Sequence, residues 1–275
     1  MYRIRSAVLS CAVASLIAGC APAPVTWADA GERVRVPAAE ADAALAQRLA
    51  AHLPRGTRAD APAPDSLHRH AIGDDRPCVG TLRAAGAAPH GSALAWWGTT
   101  ADGRGRLHLR SADAQSTWRD RVSVDTVLSR DSLGCARPAI GLAIDARSGW
   151  IHVAYGMAAP EGPGVFYAHQ MDPRALFEPP RVIVYGEGRA AASVASDGDL
   201  VAVAFENPND RPTIGLALSR TGGHLFDPPV RASTSAVPAE RPRVAVRGDS
   251  VIVGWIETVP RSTSVTLVVR RGRVR

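Results

Sequence analysis

Four segments of this chain can be laid over one another, and their spacing restricts the fold more than any other feature. They are SALAWWGTT from residue 92, IHVAYGMAA from 151, LVAVAFENP from 200 and VIVGWIETV from 251. Each is an alternating apolar strand in which a small residue, Ala or Gly, precedes an aromatic. The aromatics Trp96, Tyr155, Phe205 and Trp255 stand 59, 50 and 50 residues apart. A period near 50 with several strands per unit is the signature of a radial β-repeat. Upstream of each segment runs another strand, opened by Arg-Pro in three copies: RPCVGTL at 76, RPAIGLAI at 137 and RPRVAV at 241. AAASVA at 190 is the divergent fourth copy. Downstream, LHLRS, VFYAH, IGLALS and TLVVR supply a third strand, followed by a turn and a fourth. The expected fold is all-β: a small β-propeller of about four four-stranded blades, as a closed ring or a partial arc.

The turn after the third strand carries its own mark. SADAQSTW contains Ser111, Asp113, Thr117 and Trp118; QMDPRALF contains Asp172 and Phe177; SRTGGHLF contains Ser219, Gly223 and Phe226. Together these resemble the Asp-box, SxDxGxTW or SxDxGxTF, of sialidase-like BNR-repeat propellers. No copy is complete, because Thr221 replaces the Asp, Gln115 and Arg174 replace the Gly, and Gln170 replaces the Ser. The physical role of such a box is structural. A short acceptor side chain and a glycine stabilise the hairpin, and the aromatic packs between blades.

The first nineteen residues, MYRIRSAVLSCAVASLIAG, combine two arginines, a short apolar run and small residues before Cys20, and read as an export signal rather than a membrane span. Leu16-Ile17-Ala18-Gly19-Cys20 resembles a bacterial lipobox, which implies a lipidated Cys20. Ala21 after it implies the outer membrane of the envelope, on either its periplasmic or its surface face. Residues 20–65 read as a Pro/Ala-rich tether with a short helix at 38–53, and residues 66–275 as the propeller domain. Within this domain SLHRHAI, residues 66–72, is expected to supply the missing outer strand of the last blade. With Cys11 lost and Cys20 committed to lipid, Cys78 and Cys135 remain to form one disulfide in an oxidising compartment. Neither has a CxxC or CxxH companion, and the His68/His70 pair lacks a third ligand, so neither a metal nor a cofactor is expected. The formal charge of +6 falls to +4 when Arg3 and Arg5 leave with the signal, too mild an excess for nucleic-acid binding.

Antiparallel strand order puts the start of strand one and the end of strand two at one rim, and the Asp-box turn at the other. Arg76, Arg137, Arg241, Glu206, Asn207 and Glu257 therefore share a face as candidate ligand-binding residues. Arginines around a mouth can hold a carboxylate or phosphate bidentately. The competing reading has each pairing with a neighbouring acid, such as Asp75 or Glu240, to lock a turn between blades. Sialidases pair an arginine trio with a Tyr–Glu nucleophile and an Asp acid/base. Only the trio has a faint counterpart here, and no catalytic residue is assigned. The sequence thus points away from an enzyme, towards a lipid-anchored, monomeric binding or scaffold module for a glycan, peptide or envelope protein. A sialidase-type exo-glycosidase acting on terminal acidic sugars is the alternative.

Overall fold

The structure is a computed structural model that describes residues 23–52, 57–59, 76–210 and 213–275. The export signal, Cys20, Asp75, and the 66–72 stretch with His68 and His70 lie outside the described residues. The chain enters through β1 (Val25–Trp27), β2 (Glu32–Pro37), α1 (Ala41–Ala50) and β3 (Thr57–Ala59). Blade 1 follows with β4 (Arg76–Pro77), β5 (Arg83–Ala87), β6 (Gly91–Thr99), β7 (Gly105–Ala112) and β8 (Val122–Ser123). Blade 2 comprises β9 (Gly141–Ile144), β10 (Ile151–Ala159), β11 (Gly162–Gln170) and β12 (Arg181–Tyr185). Blade 3 comprises β13 (Ala192–Asp197), β14 (Leu200–Glu206), β15 (Ile214–Ser219) and β16 (Val230–Arg231). Blade 4 comprises β17 (Ala239–Arg247), β18 (Ser250–Glu257) and β19 (Ser264–Val274). In every blade the sheet is antiparallel and its main strands, β5–β8, β9–β12, β13–β16 and β17–β19, pair in sequence order, with β3 and β4 adding to blade 1 by pairing with β5 and β6, so the fold is a small all-β propeller.

Strand alternation sends one set of side chains to each neighbouring blade. Tyr155 packs against blade 1 with Trp97, Leu107 and Leu109; Phe205 packs against blade 2 with Val165 and Tyr167; Trp255 packs against blade 3 with Leu216 and Leu218. These three repeat aromatics are buried, and each stabilises its seam by roughly 1.5–3 kcal/mol of apolar transfer. Trp96 holds the equivalent register but, among the described residues, packs with those of its own blade, among them Leu94 and Trp118. The face of blade 4 turned away from blade 3 is covered by a helix. Leu45 and Leu49 of α1 lie on Ile252, Ile256 and Leu267. The small residue before Trp255 makes that docking feasible, since a Cβ at Gly254 would sit 2.7 Å from Leu45.

Polar latches repeat between blades as well. The Asp145 carboxylate accepts the Gly198 N–H of the next blade's hairpin at 2.7 Å, and Asp197 accepts that of Gly248 at 2.6 Å. Gly198 and Gly248 sit in two-residue turns joining Asp197 to Leu200 and Arg247 to Ser250. The SDGDL and RGDS stretches are therefore hairpin turns.

The outer strand of blade 4 comes from elsewhere than the sequence suggests. β2 pairs with β19, Glu32 opposite Val269 through Pro37 opposite Ser264, and β1 extends the same edge with Val25 opposite Val274. Residues 25–37 are thus part of the sheet where the sequence predicts tether, and they occupy the edge expected to take 66–72. ERVRVP alternates as an edge strand should, and its arginines blunt the exposed side. Arg33 also fastens the closure. It grips the buried Glu257 carboxylate through both terminal nitrogens, one at 3.2 Å, while Trp255 Nε1 donates to Glu257 at 3.3 Å. The helix spans 41–50, led in by a 3-10 turn at 38–40, and is shorter than the expected 38–53.

Arg33→Ala leaves the Glu257 carboxylate buried without its cation, so stability should fall by about 1–3 kcal/mol in urea unfolding. Adding Glu257→Gln should restore part of the loss, because a neutral amide is cheaper to bury than a carboxylate. Replacing exposed Arg35, whose Nε donates to Ser264 Oγ at 2.7 Å, should change stability by less than about 0.5 kcal/mol.

Candidate functional site

Strand one of every blade begins at the same rim, and strand pairing fixes which residues are equivalent there. Arg83, Gly141, Ser193 and Arg243 lie opposite Ala95, Ala154, Ala204 and Gly254, the small residues that precede the repeat aromatics. Around them opens a central cavity of about 430 Å³ that draws residues from all four blades and from α1. Its apolar wall includes Ile140 and Ala192. Among the described residues its charged groups are Arg83, Arg241, Arg243 and one acid, Asp42.

Arg241 reaches the cavity through a deformation of β17. The pairing with β18 shifts register between Glu240 and Arg243, and Arg241 adopts a left-handed φ of 55°. For a non-glycine residue that conformation costs about 1–2 kcal/mol and needs external support. Glu206 supplies it: one carboxylate oxygen accepts the Arg241 N–H at 3.0 Å, and the other accepts the Ala191 N–H at 3.0 Å. Asp42 of α1 then holds the guanidinium at 2.9 Å, and Glu240 stands 3.7 Å from its other terminal nitrogen. A bulged strand, a cross-blade carboxylate and the closing helix together place this side chain.

The six residues suggested by sequence do not form one constellation. Arg76 is exposed on β4, paired with Thr99 in strand geometry, and is not part of the cavity wall. Arg137 is buried instead of facing the mouth. It forms an ion pair with Asp131 at 2.6 Å, donates to the carbonyls of Gly134 and Gly103 at 3.1 Å each, and lies over the Trp97 ring at 5.2 Å. Burial pulls its guanidinium below the usual range, and Asp131 opposes that shift. Glu206 braces backbone, as described. Asn207 Oδ1 accepts the Asn209 and Asp210 N–H groups, the hydrogen bonds of an Asx turn. Glu257 is bound to Arg33. Of the six, Arg241 alone lines the cavity.

Arg83 and Arg243 are the residues that sequence reasoning missed. The Arg-Pro alignment hid Arg83, because in blade 1 a 3-10 turn at Val79–Thr81 separates Arg76-Pro77 from strand one. That segment is pinned by the Cys78–Cys135 disulfide, which ties the approach to blade 1 to the approach to blade 2. Counting back from the small-aromatic pair, rather than forward from Arg-Pro, would have found both.

No tyrosine lines the cavity among the described residues. The buried Tyr155 hydroxyl donates to Asp125 at 2.8 Å, and burial together with that carboxylate holds its pKa well above the usual range. Tyr167 is buried between blades 2 and 3, while Tyr185 is exposed on β12.

The Asp-box turns lie on the opposite rim. Asp113 Oδ1 accepts the Gln115 and Thr117 N–H groups at 3.0 and 2.9 Å, and Asp172 Oδ1 accepts that of Arg174 at 2.8 Å. In the third copy, Thr221 Oγ1 accepts the Leu225 N–H at 2.9 Å, so its hydroxyl does the work of the missing carboxylate. Ser219 Oγ accepts from Gly223, and Phe226 meets the Tyr167 ring edge-on at 4.9 Å across the seam. Ser111 is buried, Phe177 packs on the core between blades 1 and 2, and Trp118 lies beside Trp96 under the Arg110 guanidinium.

No family model and no curated protein sequence matches the chain. Among solved structures it is similar to a family 117 glycoside hydrolase of the marine bacterium Zobellia galactanivorans, at 13% identity over 66% of this chain and 57% of that one, with a TM-score of 0.38. It is similar to the NanB sialidase of Streptococcus pneumoniae at 13% identity over 66% and 29% of the two chains, TM-score 0.41. It also resembles the catalytic domain of a GH62 α-L-arabinofuranosidase of Coprinopsis cinerea, at 15% identity over 76% and 68%, TM-score 0.39.

Arg137→Ala should act on folding rather than on ligand. Removing one partner of a buried ion pair costs roughly 3–5 kcal/mol, which lowers the thermal midpoint on the order of 10 °C. Arg76→Ala, at the surface, should leave the midpoint within about 2 °C.

Proposed function

We propose that this chain is a non-catalytic binding module whose central mouth takes an anionic ligand, an acidic glycan carrying a carboxylate. One observation carries the reading: three arginines, Arg83, Arg241 and Arg243, line the cavity against one acid, Asp42, among its described residues. Guanidinium groups hold carboxylates in forked geometry, and a concave, partly apolar site strengthens each charge-assisted bond. Hydrolysis needs a carboxylate pair or an activated nucleophile that can reach the sugar. Glu206 has both oxygens on backbone amides, Glu257 is locked to Arg33, and Tyr155 is fully buried. The sialidase-type alternative therefore lacks reactive groups among the described residues of the mouth.

We further propose that the module is a monomer anchored by lipid on Cys20 in the outer membrane. β1 starts at Val25, five residues beyond Cys20, and Pro24 accepts the Arg275 N–H at 3.1 Å, so the lipid-bearing residue lies within about 18 Å of β1.

Calorimetric titration with glucuronate- and sialate-terminated oligosaccharides, alongside their neutral counterparts, tests the binding reading. Acidic ligands should bind and neutral ones should not. Arg243→Ala and Arg83→Ala should each weaken binding about tenfold or more, the loss of one charge-assisted contact. Equal affinity for neutral sugars, or turnover of a fluorogenic sialoside, contradicts it. For the anchor, labelled palmitate should enter the protein expressed in a Gram-negative host and should be absent from Cys20→Ala. Incorporation that survives this substitution refutes lipidation at Cys20.

A further inference from the structure

On the rim opposite the mouth, where β11 ends and the blade 3 Asp-box turn closes over it, three metal-ligating side chains converge. His169 stands near the end of β11, Glu178 lies in the loop that follows, and His224 sits in the turn after β15. We propose that His169, Glu178 and His224 form a site for a divalent transition metal, zinc above all, that staples blade 2 to blade 3.

The geometry suits coordination better than a hydrogen-bonded cluster. His169 Nε2 is buried and makes no hydrogen bond; its nearest anion, Glu178 Oε2, is 3.5 Å away. His224 Nε2 lies 3.8 Å from Glu178 Oε1, and the three ligand atoms all fall within 4.8 Å of one another. Those distances are long for direct hydrogen bonds. They approach the edge of a zinc tetrahedron, about 3.3 Å for bonds of about 2.0–2.1 Å.

The ligands are also held in place by their surroundings. His224 Nδ1 is 2.6 Å from the Thr221 carbonyl, an acceptor, so Nδ1 carries the proton and Nε2 presents its lone pair to the site. The Glu178 N–H donates to the His169 carbonyl at 3.0 Å, which couples two ligands through the backbone. Trp150 stacks on the His169 ring and meets the His224 ring edge-on, each at 5.9 Å. Beneath them His152 Nδ1 bonds the Tyr167 hydroxyl at 2.6 Å. Gly223 lets the turn descend this far: its φ is +96°, and a Cβ there would lie 1.9 Å from the Tyr167 oxygen.

Two imidazoles and one carboxylate favour zinc and its first-row neighbours over magnesium or calcium, which prefer all-oxygen shells. Glu178 and His224 are both partly exposed, which gives the ion an entry path and leaves a fourth position for water. Arg181, exposed and 3.8 Å from Glu178 Oε2, is the resident cation that the metal must outcompete.

The test uses untagged protein stripped by chelator, dialysed, and titrated with zinc against a chromophoric zinc indicator. The site predicts one equivalent bound with a dissociation constant below about 1 µM, and a midpoint raised by roughly 5–10 °C at saturating zinc. Cobalt in place of zinc should give the visible absorption of a tetrahedral centre. His224→Ala and Glu178→Gln, both at partly exposed positions, should fold normally and weaken zinc at least 100-fold. Replacing His68 and His70 with Gln should change nothing. Zinc weaker than about 1 µM, or equal binding by wild type and both site variants, overturns the proposal. So does loss of binding on replacing His68 and His70. None of these readouts involves the mouth or its ligand.

Discussion

A propeller blade is a sheet with two apolar faces and two edges, and a short row of blades leaves one of each exposed at its end. The pairing of Glu32–Pro37 with Ser264–Val269 resolves this for blade 4. It completes the last sheet's hydrogen bonds, and the chain that follows lays α1 across the remaining face. The cavity depends on the same closure. Asp42, which holds Arg241 at the mouth, belongs to that helix, and Gly254 is bare so that the helix can dock. Arg33 on Glu257 joins the first strands to the last blade at its most buried acid. Stability and the shape of the mouth therefore rest on one strand pairing between distant ends of the chain.

The architecture was legible in the sequence because it follows from local periodicity. Strand alternation, the small-aromatic pair and the turn residues each act within about ten residues, and those give the four blades. What was not legible depends on long-range register. Residues 25–37 look like tether, since a short edge strand with only Val34 and Val36 on its apolar side carries little hydrophobic signal. The alignment on Arg-Pro failed for Arg76 because a disulfide-pinned 3-10 turn intervenes before strand one. Arg137 stands four residues before Gly141, where Arg241 stands two before the equivalent Arg243, and it turns inward, where Asp131 and the Trp97 face compensate its burial. Those compensating partners are invisible in a linear reading.

The two rims carry different chemistry, for reasons that lie in the blades. At the mouth, strand one begins beside small residues, so long cationic side chains can reach into the space around the axis. At the far rim, the Asp-box turn of one blade folds over strands two and three of its neighbour. There Tyr167 and Gly223 fit against each other and bring His224 to His169. These histidines are 55 residues apart in the chain and belong to different blades. No motif spacing announces them, and only the packing of successive repeats assembles the group.

The most direct test of the central claim is a crystal structure of the protein soaked with a glucuronate-terminated disaccharide. The account predicts the ligand carboxylate among the guanidinium groups of Arg83, Arg241 and Arg243, with Asp42 still on Arg241 and Arg137 still buried against Asp131. A ligand seated on the outer faces of the blades with the mouth vacant, or a carboxylate taken up by Arg76 or Arg137, would contradict it.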